Sequence, residues 1–238
     1  MTTASQPSGG NSTTTHSAPV VASMPRRLSL RGSFEAVLVE GIPGLSEPRV
    51  RGPHQSHRDG DLMVVEGEGA RESVHCTVSG PGIRGRWAVG QADPSSLVVT
   101  MSPEVALTAE VAVAAALEVR GLRSPIHVRL QTGLVRLHDV PGPLDVAIGS
   151  GTVTLAGVLS ASQSLVRCDT GSIDVVFAPG SNVDARAMTG VGTARVAGDA
   201  GSQTTGAGER CQLMVGDGAG SLEVVVGVGS VSLRLDAA

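Results

Sequence analysis

The chain has 238 residues, a formal net charge of −4, two Phe, one Trp and no Tyr. Its 18 basic residues are all Arg, which excludes chemistry that requires Lys, such as Schiff-base formation or phosphate binding by a P-loop. Mixed charge and scarce aromatic rings predict no nucleic-acid binding, and no apolar run is long enough to predict a transmembrane segment.

The start of the chain is rich in Ser, Thr, Pro and Gly, so residues 1–32 are predicted to be a disordered tail before one domain at 33–238. Arg26 and Arg27 precede Ser29 as in sites of basophilic kinases, which makes Ser29 a weak phosphorylation candidate beside the alternative of a chance basic pair. The sequence shows no export signal and has three Cys, an odd number, which together predict a cytoplasmic protein with reduced thiols.

Residues 33–116 are an irregular entry region in which short apolar runs alternate with turns. The runs predict strands at 37–39, 62–65, 74–78, 87–89 and 97–99. Residues 80–85 match the glycine pattern of dinucleotide-binding sites. A strand follows where such a site needs a helix, however, so no cofactor is predicted.

A polar segment between the first two of these strands contains His54, His57, Asp59 and Asp61. Two imidazoles three residues apart, together with a carboxylate, could bind Zn²⁺. The neighbouring Pro and Gly residues favour the alternative of a solvated turn, and no metal site is predicted.

The segment 102–117 is ambiguous between helix and strand. Ser102, Pro103 and Glu104 are typical of a helix start, and the Ala-rich stretch after them also favours a helix. Apolar residues nevertheless alternate strictly from Val105 to Val113, which is the period of a strand. We predict a strand, because the neighbouring segments are also β.

From 117 to 238 one phrase recurs: a small residue or Val, then Gly, any residue, and an apolar-polar-apolar triplet. Its glycines are Gly133, Gly151, Gly171, Gly192, Gly220 and Gly229. The first four are 18, 20 and 21 residues apart, and a strand signal with a period near twenty predicts stacked coils. A second strand in each coil is predicted from the runs at 144–148, 183–187 and 211–215.

Outward positions of these strands include Asp145, Asp174 and Asp184. Two carboxylates on one face could cleave a glycosidic bond, but sugar-binding grooves rely on aromatic side chains that this chain lacks. No catalytic residue is therefore predicted, and a carbohydrate-active β-helix enzyme is kept as an alternative. Gly216–Gly220 is similar to a calcium-binding turn, but it occurs once, so no metal is predicted there either.

Three features carry a family resemblance: the opening Phe34–Gly41, a strand entering the Ser102-Pro103 turn, and coils marked by Thr-Gly or Ser-Gly. In these the chain resembles the bacterial putative-adhesin β-solenoid family, domains of unknown function related to adhesin heads. The resemblance covers Phe34 to Leu235 and implies a right-handed β-solenoid without catalytic residues to carry over. The family's name implies attachment to surfaces. A looser resemblance is to the bactofilins, cytoskeletal solenoids that polymerise end to end.

Together these observations predict an all-β, right-handed β-solenoid of β-helix-like coils behind irregular entry strands. Its expected function is non-enzymatic: a structural or interaction module that binds a protein partner or itself through the solenoid ends. The strand 231–235 is expected to form an exposed terminal coil, so Leu233→Glu is expected to weaken self-association. An exported cell-surface adhesin is the alternative from another class.

Overall fold

The structure is a computed structural model that describes residues 26–67, 96–160, 163–197 and 208–236. Every regular element in these ranges is a strand, so they contain no helix that could cross a membrane. In chain order the strands are β1 (Arg27–Gly41), β2 (Arg49–Arg51), β3 (Gln55–Asp59), β4 (Leu62–Gly67), β5 (Ser96–Met101), β6 (Ala106–Arg120), β7 (Ile126–His138), β8 (Leu144–Gly157), β9 (Gln163–Phe177), β10 (Val183–Ala197), β11 (Arg210–Val215) and β12 (Gly220–Leu235). The predicted all-β fold is confirmed.

The strands form one sheet whose ladders are mostly parallel. Along the main path the order is β11, β10, β12, β9, β8, β7, β6, β1, β4, β3, while β5 pairs with β1 and β2 pairs with β5. In the described residues only the outermost ladders, β10–β11, β3–β4 and β2–β5, are antiparallel. Parallel pairing in register stacks equivalent side chains of successive strands beside one another.

The long strands must bend, because the links between them are too short for straight strands. β7 would measure about 40 Å if it were straight. Residues 139–143 join it to β8, whose first residue, Leu144, lies beside Ile126. That link reaches about 20 Å, so His138 must return to within roughly 25 Å of Ile126. Each long strand is therefore made of two shorter arms that meet at a corner.

In β7, β8, β9, β10 and β12 a glycine forms the corner. In β8 the buried positions change from even-numbered residues before Gly151, such as Val146, to odd-numbered residues after it, such as Val153. Gly151 has a φ of 146°, and a Cβ there would lie 1.8 Å from the carbonyl oxygen of Gly133 on β7. Equivalent glycines pair in register across neighbouring strands: Gly133, Gly151, Gly171, Gly229 and Gly192. We call this stack the glycine column, the part of each strand before it arm a, and the part after it arm b.

The links between strands close the third side of each coil. Each link contributes a buried residue to the interior: Leu122, Val140, Leu159 and Ser181. The interior is otherwise filled by Val, Leu, Ile and Ala from both arms, and Phe177 is the largest fully buried side chain. Small aliphatic groups suit this narrow space, which explains how a core forms with so few aromatic rings.

Both terminal strands lie inside the sheet. β1 lies between β6 and the strands β4 and β5, and β12 pairs in parallel with β9 on one side and β10 on the other. The expectation that residues 231–235 form an exposed terminal coil is therefore wrong. Leu233 is fully buried between Val175 and Val196. The reason is a chain reversal. β11 runs antiparallel to β10 at the end of the sheet, and β12 then returns between β10 and β9.

Two expectations about the coils are corrected by this reversal. Residues 211–215 were expected to be one strand of a coil, but they form β11, an antiparallel end strand. Gly220 was expected to mark a corner, but it begins β12, and Gly229 is the residue of β12 that joins the glycine column. Gly220 and Gly229 are nine positions apart, which is the length of one arm and too short for a coil.

Several predicted strands are confirmed. The runs at 37–39, 62–65 and 97–99 lie in β1, β4 and β5, and the ambiguous segment 102–117 forms β6 from Ala106 onward. The alternation in β6 breaks at the corner, where Val113 is partly exposed. The runs at 74–78 and 87–89 and the glycine pattern at 80–85 lie outside the described residues.

The start of the first strand differs from the predicted end of the tail. β1 begins at Arg27, inside the segment assigned to the tail, and Leu28 and Leu30 are fully buried. Their apolar alternation is only three residues long and is surrounded by Arg and Ser, so the sequence pattern is too short to predict a strand. Residues 1–25 lie outside the described part of the chain.

Candidate functional site

Each end of the parallel stack is closed by antiparallel strands. At one end β3 pairs with β4 and β2 pairs with β5, and at the other end β11 pairs with arm a of β10. An end strand offers unpaired backbone groups on its outer side, so it is the natural place for contact with another chain. The chemistry of the two ends differs.

The backbone groups of β11 point alternately toward β10 and away from it. The Thr189 N–H donates to the carbonyl oxygen of Glu209 at 2.9 Å, which makes every second pair along this ladder a hydrogen-bonded pair. Cys211 and Leu213 therefore bond toward β10. The residues whose N–H and C=O point outward, where no described strand pairs with them, are Arg210, Gln212 and Met214.

The side chains of β11 form an apolar inner face and an exposed outer face. Cys211 and Leu213 are buried against the core, whereas Met214 is 62% exposed although it is apolar. The Gln212 Nε2 donates to Asp184 Oδ1 at 2.6 Å, which anchors the middle of the outer face to β10. We call the backbone groups of β11 that point away from β10, together with the exposed side chains of this strand, the β11 edge.

At the opposite end, the edge beside β4 is protected by β3. All side chains of β3 are exposed, and its register places Ser56 beside Val65 and Arg58 beside Met63, two residues that belong to or pack against the core. Arg58 is therefore a charged residue on the core-facing side of an end strand. Such a charge disfavours pairing with another strand, because pairing would bury it.

Arm b of β10 is also protected. The Glu209 Oε2 accepts a hydrogen bond from the backbone N–H of Ala194 at 2.8 Å, on the side of the strand that faces away from β12. The carboxylate satisfies a donor at the strand edge and places a negative charge where another strand would have to bind. Within the described residues, no side chain caps the outward N–H groups of β11 in this way.

A groove of about 1370 Å³ adjoins the β11 edge on the outer face of the arms a. Its lining includes Asp184, Arg186, Gln212 and Glu223. The Arg186 Nη2 donates to Asp184 Oδ2 at 2.8 Å, so two of these charges already pair with each other. The groove therefore places charged side chains of both signs next to the β11 edge.

The three Asp residues considered as catalytic carboxylates are not brought together. Asp145 and Asp184 lie on β8 and β10, with β9 and β12 between them, which corresponds to three strand spacings or about 14 Å. Asp174 lies on arm b of β9, beyond the glycine column. Glycosidases use two carboxyl groups separated by roughly 5 to 9.5 Å. No two of these three residues provide that spacing on one face.

Asp145 belongs instead to a cluster of paired charges. The Arg129 Nη1 and Nη2 donate to its two carboxylate oxygens at 3.0 and 2.9 Å, and His127 Nδ1 lies 3.0 Å from Oδ2. The hydrogen bonding from Arg129 is the main cause that lowers the pKa of Asp145 below its ordinary value. A carboxylate held in its charged form is poorly suited to be the general acid of glycosidic cleavage.

Ser29, the phosphorylation candidate, was expected to lie in an exposed tail. It is 4% exposed, and it pairs with Val64 on β4 and Thr108 on β6. A kinase could reach its hydroxyl only if β1 left the sheet. The placement therefore removes the premise of that hypothesis.

The four polar residues considered as metal ligands lie on or beside β3: His54, His57, Asp59 and Asp61. His54 Nδ1 is 2.8 Å from the Gly52 carbonyl oxygen, and Asp61 accepts a hydrogen bond from Arg27 at 3.1 Å. In the described ranges, no group of three His, Cys, Asp or Glu side chains is placed to hold a metal ion.

Two Cys are buried as free thiols, Cys168 in β9 and Cys211 in β11. Burial is the main cause that raises the pKa of both thiols. They are therefore protonated at neutral pH, which makes them weak nucleophiles and weak metal ligands. Cys76 lies outside the described residues.

The β11 edge was not predicted from the sequence, because the run 211–215 alternates like an inner strand. A signal was nevertheless present in Gly216-Asp217-Gly218, directly between two strand patterns. Such a sequence is typical of a turn, and Gly216 and Gly218 do adopt positive φ values of 64° and 67° there. Treating this segment as a reversal would have placed β11 antiparallel to its neighbour.

Comparisons with known proteins give little further information. No protein-family model matches the chain, and no curated protein matches it. The chain is similar to a solved structure described as a putative cell adhesion protein from Clostridium sporogenes, with 13% identity and a TM-score of 0.44 over 89% of this chain and 93% of that chain. Values this low establish neither a family nor a function.

Proposed function

We propose that this chain is a non-enzymatic, cytoplasmic protein-interaction module that binds a strand of another polypeptide at the β11 edge. The observation that carries the proposal is the difference between the two ends of the stack. At the β3 end, Arg58 lies on the core-facing side of the strand. At the β11 end, backbone N–H and C=O groups point away from β10, the core-facing side chains are apolar, and the side chains on the other face are exposed. Strand addition needs such an edge.

We also propose that the stack is a right-handed β-solenoid. Connections between parallel strands of one sheet are right-handed in about 98% of cases. A solenoid of this kind is long and narrow, so its ends and outer faces are the surfaces that it can offer to partners.

Two features of the described residues support a non-enzymatic role. Asp145, Asp174 and Asp184 are too far apart to act as a carboxylate pair, and Asp145 is engaged by Arg129. The buried thiols of Cys168 and Cys211 are not activated, since burial raises the pKa of each. If the chain were a polysaccharide-cleaving enzyme, Asp174→Asn would abolish turnover on one member of a polysaccharide panel.

Site-specific photocrosslinking in the native cells tests the proposal. A photoreactive residue is introduced at position 214 in the β11 edge and, as a matched control, at the exposed position 57 in β3. We expect a crosslinked protein adduct from position 214 and none from position 57. The adduct should disappear when Gln212→Pro is added, because proline removes an outward N–H while leaving the ladder to β10 intact.

Equal crosslinking from both positions, or an adduct that persists with Gln212→Pro, would contradict the proposed role of this edge. Cell fractionation distinguishes the cytoplasmic module from the exported adhesin. Protein found in the cell envelope or the medium would favour the adhesin.

A further inference from the structure

We propose that the strand bound at the β11 edge is β11 of a second copy of this chain, which gives a closed, two-fold symmetric dimer. This inference rests on the proposed function and specifies its partner. It follows from the register of β11, from the side chains that self-pairing would bring together, and from the chemistry of the opposite end.

The outward residues of β11 fit an antiparallel copy of themselves. Since Arg210, Gln212 and Met214 direct their N–H and C=O outward, an antiparallel pair centred on Gln212 joins every outward group to a partner. Gln212 then lies opposite the second Gln212, and each Arg210 lies opposite the second copy's Met214. The two-fold axis passes between the two Gln212 residues, perpendicular to the sheet.

Self-pairing also matches side chains on both faces of the sheet. On the inner face, Cys211 of one copy lies opposite Leu213 of the other, so the two aliphatic cores become continuous across the interface. On the outer face, no charge lies directly opposite a like charge. Arg210 packs on the exposed Met214 of the other copy, and Asp184 of that copy is one strand farther on.

β3, the end strand beside β4, does not fit the β11 edge. If β3 of one copy paired with β11 of another, Arg58 and Ser56 would both be placed on the inner face, where Cys211 and Leu213 lie. A guanidinium buried there without an anionic partner is costly. Pairing between like ends is therefore favoured over head-to-tail pairing, and the assembly closes as a dimer instead of growing into a filament.

Sedimentation equilibrium of the purified full chain, from micromolar to submillimolar concentration, tests this inference. We expect a reversible monomer–dimer equilibrium. Gln212→Pro should raise the dimer dissociation constant by about 30-fold or more, because it removes the central hydrogen bonds. The matched control Gln212→Ala removes the same side-chain bond to Asp184 but keeps the N–H, so it should dimerise like the unmodified chain.

A charge pair at position 214 tests the register without proline. Met214→Lys places a cation opposite Arg210 of the second copy and should weaken the dimer by about five- to tenfold, whereas Met214→Glu should maintain or strengthen it. Met214 is exposed, so neither change disturbs the core. Since both substitutions lie at an exposed position, they test the register even if Gln212→Pro fails to fold.

A chain that stays monomeric at every concentration would overturn the inference, as would a dimer that responds equally to Met214→Lys and Met214→Glu. Either result leaves the proposed function open to the crosslinking experiment, in which an adduct with a different protein from position 214 would indicate a heterologous partner. Failure of both experiments would remove the role of the edge altogether.

Discussion

The corner glycines show how one absent methyl group sets the path of the chain. At Gly151 the φ of 146° and the close approach of the Gly133 carbonyl oxygen exclude a side chain for two separate reasons. The column repeats this arrangement from strand to strand, so each coil turns at the same level as its neighbour. These positions are recognisable in the sequence because glycine is the residue that tolerates such a conformation.

Replacement of Gly151 by Ala should destabilise the fold by about 3 kcal/mol or more, since the new Cβ would meet a backbone oxygen at 1.8 Å that no side-chain movement can relieve. Urea denaturation followed by circular dichroism measures this loss. Gly60→Ala is the matched control: Gly60 has a φ of 58° but open space around it, so only conformational strain of about 1 kcal/mol is expected. Equal losses in both variants would show that the close approach at the corner has no cost.

At the scale of elements, the pattern predicted the strands better than their order. β6 was identified as a strand from its alternation, although Ser102-Pro103-Glu104 favoured a helix. The order β9, β12, β10 was not predictable, because all three strands carry the same glycine phrase and stack in the same register. The link 178–182 between β9 and β10 is also as long as the link 139–143 between the adjacent strands β7 and β8. Link length therefore does not indicate that β12 lies between β9 and β10.

The inserted position of β12 changes the expected effect of Leu233→Glu. A carboxylate at this fully buried site between Val175 and Val196 should destabilise the fold by about 4 kcal/mol or more, whereas an exposed terminal coil would have tolerated it. Thermal unfolding measures the change. Leu235→Glu, on the same strand at a residue 51% exposed, should cost less than about 1 kcal/mol. Similar losses at both positions would contradict the central position of β12.

At the scale of the whole molecule, the ends determine which assemblies can form. The parallel pairing does not itself limit the number of strands, because each strand at the edge exposes backbone groups with which a further strand can pair. It stops at one end at β2 and β3, where Arg58 of β3 faces the core side, and at the other at β11, whose inner face is apolar. The polar composition of β3 was visible in the sequence, but the side to which Arg58 points depends on its register with β4, which the sequence pattern does not specify.

Removal of the protection at β3 should therefore change a dimer into a polymer. In Ser56→Val with Arg58→Leu, both ends would present apolar inner faces, and pairing at each end would link molecules into chains whose length grows with concentration. Light scattering measures this growth. His57→Val also makes β3 less polar but acts on its outer face, so it should leave the assembly size unchanged. When Gln212→Pro is added to the polymer-forming variant, one end is blocked again and growth should stop at dimers joined through β3. Continued growth of that triple variant would mean that the molecules associate through a surface other than their ends.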